Sequence, residues 1–432
     1  MDLKERLDRL TSISKTPSTQ PPALEGEGKG GDGLRQRLDR LIDPRKVYRK
    51  KQVLPIEQFI KGEVVSTPNG ETFQMEEYYP LHFQYGGITL AELLEIPTYP
   101  AHLLSRDQRL KELDLRKTLF LDTETTGLTG GTGTFAFMVG LGFFQEDGFL
   151  IRQLFMRDYS EERASLFLLK NLLESFEFLI TFNGRHYDIP LIETRFILSR
   201  MVSRIREMPN FDLLFPSRKI WKGAYENCRL VTLESKLLGA ERVDDVPSEW
   251  IPSLYFNYVQ TGNAGKIFRV FYHNQMDILS MVALTGRIHL VYHDPQAALP
   301  RKGVEHFALG RLFWDHGHPE KAIPCFEIAL KRCEDDLAWE VMRWLSTAFK
   351  KTGQEEKAKA LWEEMMTWPD QRDSFPFLEM AKYCEHRLKG YEKAIVYVDR
   401  ALELTSSHRQ KEIEVLLRRR VRLKQKAGKR IV

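Results

Sequence analysis

The sequence predicts an α/β domain built on a mixed sheet with flanking helices, followed by an all-helical repeat domain. Three observations carry this reading. Between residues 116 and 295, strand-like and helix-like runs follow the order strand, strand, strand, helix, strand, helix: TLFLDTE, FAFMVGLGFF, FLIRQLFM, EERASLFLLKNLLESF, FEFLITF and the segment after Asp188. Antiparallel strands followed by a helix and a parallel-type strand argue a mixed sheet. After residue 300, Lys-Ala recurs at 321/322, 357/358 and 393/394, a period of 36 (357 − 321), and each copy follows a glycine: Gly317, Gly353, Gly390. The 432 residues leave room for about three domains.

Composition narrows the class. An apolar fraction of 42% with 29% charged residues is that of a globular protein. No uncharged apolar run approaches the ~18 residues of a spanning helix, and MDLKERLDRL does not read as a secretory signal. The four cysteines, Cys228, Cys325, Cys333 and Cys384, form no C-x-x-C pair, which argues against a disulfide framework or a cysteine zinc site. A cytoplasmic location is expected. The net charge of +4 hides an asymmetry: Arg418 to Arg430 holds eight Lys or Arg and no acid. The segment 411–432 is therefore expected to be a basic tail that extends the last helix, frays, and adds sequence-independent affinity for nucleic acid.

Ahead of the α/β domain, residues 1–45 read as an arm with two leucine-spaced segments, LKERLDRL (Leu3 to Leu10) and LRQRLDRL (Leu34 to Leu41). Residues 46–115 read as a β-containing extension packed on the α/β domain, with a turn at Pro68-Asn69-Gly70. In residues 300–410, Leu309-Gly310 with Phe313 is followed by Leu345-Ser346 with Phe349 and Met380-Ala381 with Cys384. Downstream of each lie Phe326 and Ala329, Trp362 and Met365, Val398 and Ala401. This small-large pattern resembles the tetratricopeptide repeat, provided the third copy has an inter-helix turn one residue longer. Three repeats are enough to bury a continuous core, and the resemblance implies a surface for a protein partner.

The chemistry rests on acids. In LFLDTETTG, Asp122 and Glu124 are two apart near the end of a strand and point to one face. Two buried carboxylates side by side call for a compensating cation. TFNGRHYDIP supplies Asn183 and Asp188 after a second apolar strand, and FYHNQMDILSM supplies His273 and Asp277 at i, i+4 on one helical face. Four acids in the order Asp, Glu, Asp, Asp, from two strand ends and two helices, resemble the DEDD exonucleases of the ribonuclease H-like superfamily. With the helical repeats, and with FDLLFPSRKIWKG and RLVTLESKLLG, the chain resembles the bacterial YprB-type proteins over roughly residues 50–410.

That resemblance implies a metal-dependent nuclease, a 3′-to-5′ exonuclease in type, using two divalent ions, Mg²⁺ or Mn²⁺, on a single-stranded 3′ end of DNA or RNA. Asp122 would bridge both ions, Glu124 and Asp277 would complete one site, and Asp188 would serve the other. The third motif departs from the group's pattern: His273 stands four residues before Asp277 and Tyr272 five, the reverse of the usual identities. On a helix His273 lies about 40° from Asp277 and Tyr272 about 140°, so His273 is the expected general base. The crossed motif keeps a second reading open, a nucleic-acid-binding or scaffold protein whose core turns over weakly or not at all. The glycines Gly127, Gly130, Gly131 and Gly133 lack the ending of a phosphate-binding P-loop and fit a hairpin turn. Arg185, Arg218, Lys219 and Lys222 are candidate phosphate contacts. Asp212 is expected to cap a helix and is left outside the site.

Overall fold

A computed structural model describes residues 54–127, 132–294, 302–368 and 373–428. Both leucine-spaced segments of the arm, and Gly130 and Gly131, lie outside the described residues. The strands are β1 (Gly62–Thr67), β2 (Gly70–Pro80), β3 (Gln84–Tyr85), β4 (Ile88–Thr89), β5 (Thr118–Thr125), β6 (Ala136–Phe144), β7 (Gly148–Phe155), β8 (Phe178–Thr181) and β9 (Asn210–Asp212). Seven form one mixed sheet, ordered β1-β2-β7-β6-β5-β8-β9, and β3 pairs with β4. β5 pairs antiparallel with β6 and parallel with β8, and β8 pairs parallel with β9. The β1–β2 hairpin turns at Pro68-Asn69-Gly70 and continues the sheet through β2 and β7 instead of packing on its outside. Strand β9 has three residues, too few to show a period in the sequence.

Strand β5 is the pivot. Its flanking strands and both covering layers leave it buried on two faces, so its sequence reads as an apolar run. Leu119 and Leu121 pack toward the helices Glu162–Leu173 and Asp188–Leu198. Phe120 points the other way, toward the long helix Phe268–His293. Alternation along the strand then sends Asp122 and Glu124 to the long-helix side and Thr123 to the other.

Two glycines set how close that helix lies. Gly140 and Gly142 on β6 stand opposite Asp122 and Phe120. A Cβ on Gly140 would come within 2.1 Å of Asn274 Oδ1, and one on Gly142 within 2.5 Å of Ile278 Cγ2. Asn274 and Ile278 are four apart on the helix, so its inner face rests on bare backbone at two successive turns. His273 and Asp277 are carried to the strand end by the same contact.

The C-terminal region is all-helical: Gly303–Asp315, Pro319–Arg332, Asp335–Lys351, Glu355–Met366, Phe375–Tyr383, Tyr391–Leu404 and Gln410–Gly428. Corresponding positions of the three copies are buried alike: Leu309, Leu345 and Met380; Ala322, Ala358 and Ala394; Phe326, Trp362 and Val398. Gly317 and Gly353, at φ +80° and +79°, end the first helix of a pair in the left-handed conformation. In the third copy a π turn at Cys384–Leu388 takes up the additional residue, and Lys389 adopts φ +54°. No helix among the described residues is long and apolar enough to cross a membrane.

The basic end differs from the expected fraying tail. Gln410–Gly428 is one helix with Leu416 and Leu423 buried against Ala381, Ala394 and Val398. Its cations converge on the fully buried Glu385: Arg419 at 2.6 Å, Arg422 at 2.9 Å and Lys426 at 2.9 Å. Arg420 pairs with Asp399 at 2.6 Å. The acid lies at least 34 residues upstream of its partners, so no local pattern announces it. Burial works to raise the Glu385 carboxyl, but Lys426, Arg422 and Arg419 hold it down to about 2. Its contribution is complete above the ordinary carboxylate range and is lost as pH falls toward 2. Glu385→Gln should lower stability by about 2–3 kcal/mol, at the low end for a broken buried pair because the cations left behind reach water. Thermal melts across pH should show the two proteins differing most near neutrality and converging in acid.

Candidate active site

At the end of β5, Asp122 and Glu124 share a face with His273, Asn274 and Asp277 of the long helix. Asp188 opens the Asp188–Leu198 helix on the other side of the strand, where the Thr123 hydroxyl donates to its Oδ1. This is why the odd residue of the D-T-E run, and neither neighbouring acid, touches Asp188. Asp122, His273 and Asp277 line a cleft of about 920 Å³, while Glu124 and Asp188 are buried, 8% and 5% exposed. The structure therefore brings all four expected acids and His273 together.

Their charges are costly. Burial, then the charges of Asp277 and Asp188, push the Asp122 carboxyl well above its ordinary range; the Asn274 amide opposes this. Glu124 is pushed up by burial and then by Asp122, Asp277 and Asp188. Asp188 is raised by burial to about 6, although its bond from Thr123 counters the shift. Neutral donors offset part of the cost: Asn274 Nδ2 donates to Asp122 Oδ2 at 2.8 Å, and Gln153 Nε2 donates to Asn274 Oδ1 at 2.8 Å and to the Phe271 carbonyl at 2.9 Å.

A loop that the sequence did not mark supplies two further charged groups. Arg242 is buried and donates to Glu234 at 2.7 Å, to Asp245 at 3.2 Å and to Asp277 Oδ1 at 2.6 Å. Glu234 in turn accepts from the Tyr85 hydroxyl at 2.7 Å. Both oxygens of Asp245 lie 2.9 Å from His273 Nδ1. A carboxylate only accepts, so the hydrogen sits on Nδ1 and His273 Nε2 is turned to Asp277 Oδ2, 3.5 Å away. Burial works to lower the His273 pKa, but the Asp245 hydrogen bond and the charges of Asp277 and Asp245 outweigh it and raise it. Tyr272 faces elsewhere, its hydroxyl accepting from the Val243 backbone at 3.3 Å.

Other candidates separate cleanly. Asp212 accepts from the backbones of Asn183 (2.8 Å), Arg185 (3.1 Å) and Leu214 (3.1 Å), the structural role expected of it. It thereby holds Asn183 at φ +65° on the cleft wall. Arg185 lines a different cleft, with Asp107 and Glu193, and Lys219 donates to the Leu104 carbonyl at 2.9 Å. Arg218 faces the acid cleft. Gly127 accepts from the Tyr187 hydroxyl at 2.8 Å, in the connection between the antiparallel strands β5 and β6.

The donor set fits a divalent cation. One ligand atom each from Glu124, His273 and Asp277 lie within 4.8 Å of one another, and the charge of Asp122 bears on Glu124. The carboxylate oxygens suit Mg²⁺, Mn²⁺ and similar ions, with the His273 imidazole beside them.

Residues 119–289 match the family model of the RNase H superfamily, so fold and site define a nuclease-type domain of that superfamily. The chain is 31% identical over 359 residues to the uncharacterized protein YprB of Bacillus subtilis (strain 168), covering 81% of this chain and 85% of the relative. The chain belongs to the YprB family.

The glycine contact yields a test. In Gly140→Ala the added methyl would displace the buried Asn274 amide from Asp122. Stability should fall by about 1–3 kcal/mol, as for overpacking in a core, and the melting-temperature gain on adding divalent metal should shrink. Asn274→Ala should share the second effect without the steric one.

Proposed function

We propose that the protein is a metal-dependent nuclease that hydrolyses phosphodiester bonds at a single-stranded 3′ end of DNA or RNA, acting as a 3′-to-5′ exonuclease. The observation that carries this reading is the convergence of Asp122, Asp277 and His273 on one cleft of an RNase H-like fold, with Glu124 and Asp188 buried beside them. The four acids would hold two divalent ions, Mg²⁺ or Mn²⁺, which when bound supply an acidified water and neutralise charge on the attacking and leaving oxygens.

The chain's own groups do the rest. His273 takes the proton of the attacking water at Nε2, and Asp245 keeps the hydrogen on Nδ1 so that this nitrogen carries the lone pair. Arg242 fixes one oxygen of Asp277 and leaves the other toward His273. In this reading the catalytic domain spans residues 116–295, with 46–115 as its extension. Residues 300–410 form tetratricopeptide-like repeats with a surface for a protein partner, and 411–432 a basic segment.

A second reading is favoured by the Arg242–Asp277 pair, since a guanidinium on a ligand oxygen competes with a metal ion. In that reading the cleft binds nucleic acid with little turnover. Cleavage assays decide between them. Asp122→Asn or Asp277→Asn should abolish metal-dependent release of labelled nucleotides, and millimolar Mn²⁺ should raise the melting temperature of the wild type far more than that of Asp122→Asn. Unchanged cleavage by either variant in a nuclease-free preparation would refute the assignment. His273→Ala should lower turnover by about 10²–10⁴-fold and Tyr272→Phe much less; the opposite ranking would make the tyrosine the working residue.

A further inference from the structure

The acid cleft does not end at the acids. Its far wall carries Arg218, Asn227, Cys228 and Arg229. A second cleft of about 760 Å³ shares Arg218, Asn227 and Cys228 with it and adds Lys222, Tyr225 and Glu226. The two grooves therefore run into one another, from Asp122 and Asp277 at one end to Lys222 at the other.

Charge is sorted along this path. Elsewhere many basic side chains are tied to acids, as in Arg195–Glu162, Arg157–Glu161 and the Glu385 cluster. Arg218, Lys222 and Arg229 make no ion pair among the described residues, and the exposed Glu226 is the single acid on the far groove. Three unpaired cations in one groove repel one another and gain nothing from the fold, an arrangement suited to an anion supplied from outside.

Their backbone is built to hold them in place. Asn227 Oδ1 accepts from the Arg229 backbone at 2.9 Å and from the Thr232 hydroxyl at 2.8 Å. Gly223, at φ +90°, turns the chain after Lys222. Lys302 of the helical region donates to the Ala224 carbonyl at 2.5 Å and lies over the Tyr225 ring. The helical region thus braces the basic end.

We propose that this groove is a track for single-stranded nucleic acid, with Arg218, Arg229 and Lys222 holding successive phosphates as the strand leads to the acids. The proposal rests on the nuclease reading above and names the substrate path for it. Depth selects a single strand: Glu124, Asp188 and His273 are at most 8% exposed, so a rigid duplex cannot bring a phosphodiester to them, while a flexible strand can thread in. Phe182 and Tyr187 on the wall offer faces for bases.

Binding and cleavage test the two readings separately. Fluorescence anisotropy on full-length Asp122→Asn would use labelled single-stranded and duplex DNA and RNA of about 12 nucleotides across a salt series. Adding Arg218→Ala, Lys222→Ala and Arg229→Ala together should weaken single-strand binding and flatten the slope of log affinity against log salt by about 2 units, at about 0.7 per contact. Arg185→Ala, on the separate cleft, should leave the slope unchanged. An unchanged slope in the triple variant overturns the track, as does tighter binding of duplex than of single strand, while cleavage by the wild type would leave the nuclease reading intact. A wild type that neither binds nor cleaves overturns both.

Discussion

Carboxylates that repel one another cannot be gathered in a protein interior unless their surroundings offset the charge, and that constraint organises this molecule. Asp122, Glu124, Asp188 and Asp277 come from three separate elements to the end of one central strand. Burial raises Asp122, Glu124 and Asp188 above the ordinary carboxylate range, and repulsion from the other acids adds to it at Asp122 and Glu124. What keeps them there is a shell of donors: Thr123 on Asp188, Asn274 and Gln153 behind Asp122, Arg242 on Asp277. The shell leaves oxygens of Glu124 and Asp277 close to one another with His273 beside them, a geometry suited to a divalent cation held by the carboxylates.

The fold supplies the precision this requires. Gly140 and Gly142 let the long helix rest on the sheet backbone, so the register of Asn274 and Ile278 also fixes His273 and Asp277. Arg242 is locked in turn by Glu234, which Tyr85 of the small β3–β4 ladder holds. Elements far apart in the chain thus serve one cleft. The helical region contacts the segment beyond the cleft through Lys302, which donates to the Ala224 carbonyl.

The parts of the site legible in the sequence were those that follow from local periodicity. A spacing of two in a strand placed Asp122 with Glu124, and a spacing of four in a helix placed His273 with Asp277; the same angular argument turned Tyr272 away. The 36-residue period likewise located the buried positions of the helical region. Arg242 and Asp245 were missed because they lie in a loop with no period, and their importance depends on partners about 30 residues away in the chain. Gly140 and Gly142 read as ordinary strand residues until the helix above them is in place. The basic C-terminal helix was misjudged for the same reason: its counter-charge, Glu385, lies more than 30 residues upstream. Contacts between distant segments are what a one-dimensional pattern cannot express.

The most direct measurement of the central claim is an anomalous difference map from crystals of the full chain grown with saturating Mn²⁺. The account predicts metal density bounded by the carboxylates of Asp122, Glu124, Asp188 and Asp277. A cluster without metal under those conditions, with Arg242 still paired to Asp277 and Mn²⁺ bound elsewhere or nowhere, would contradict it.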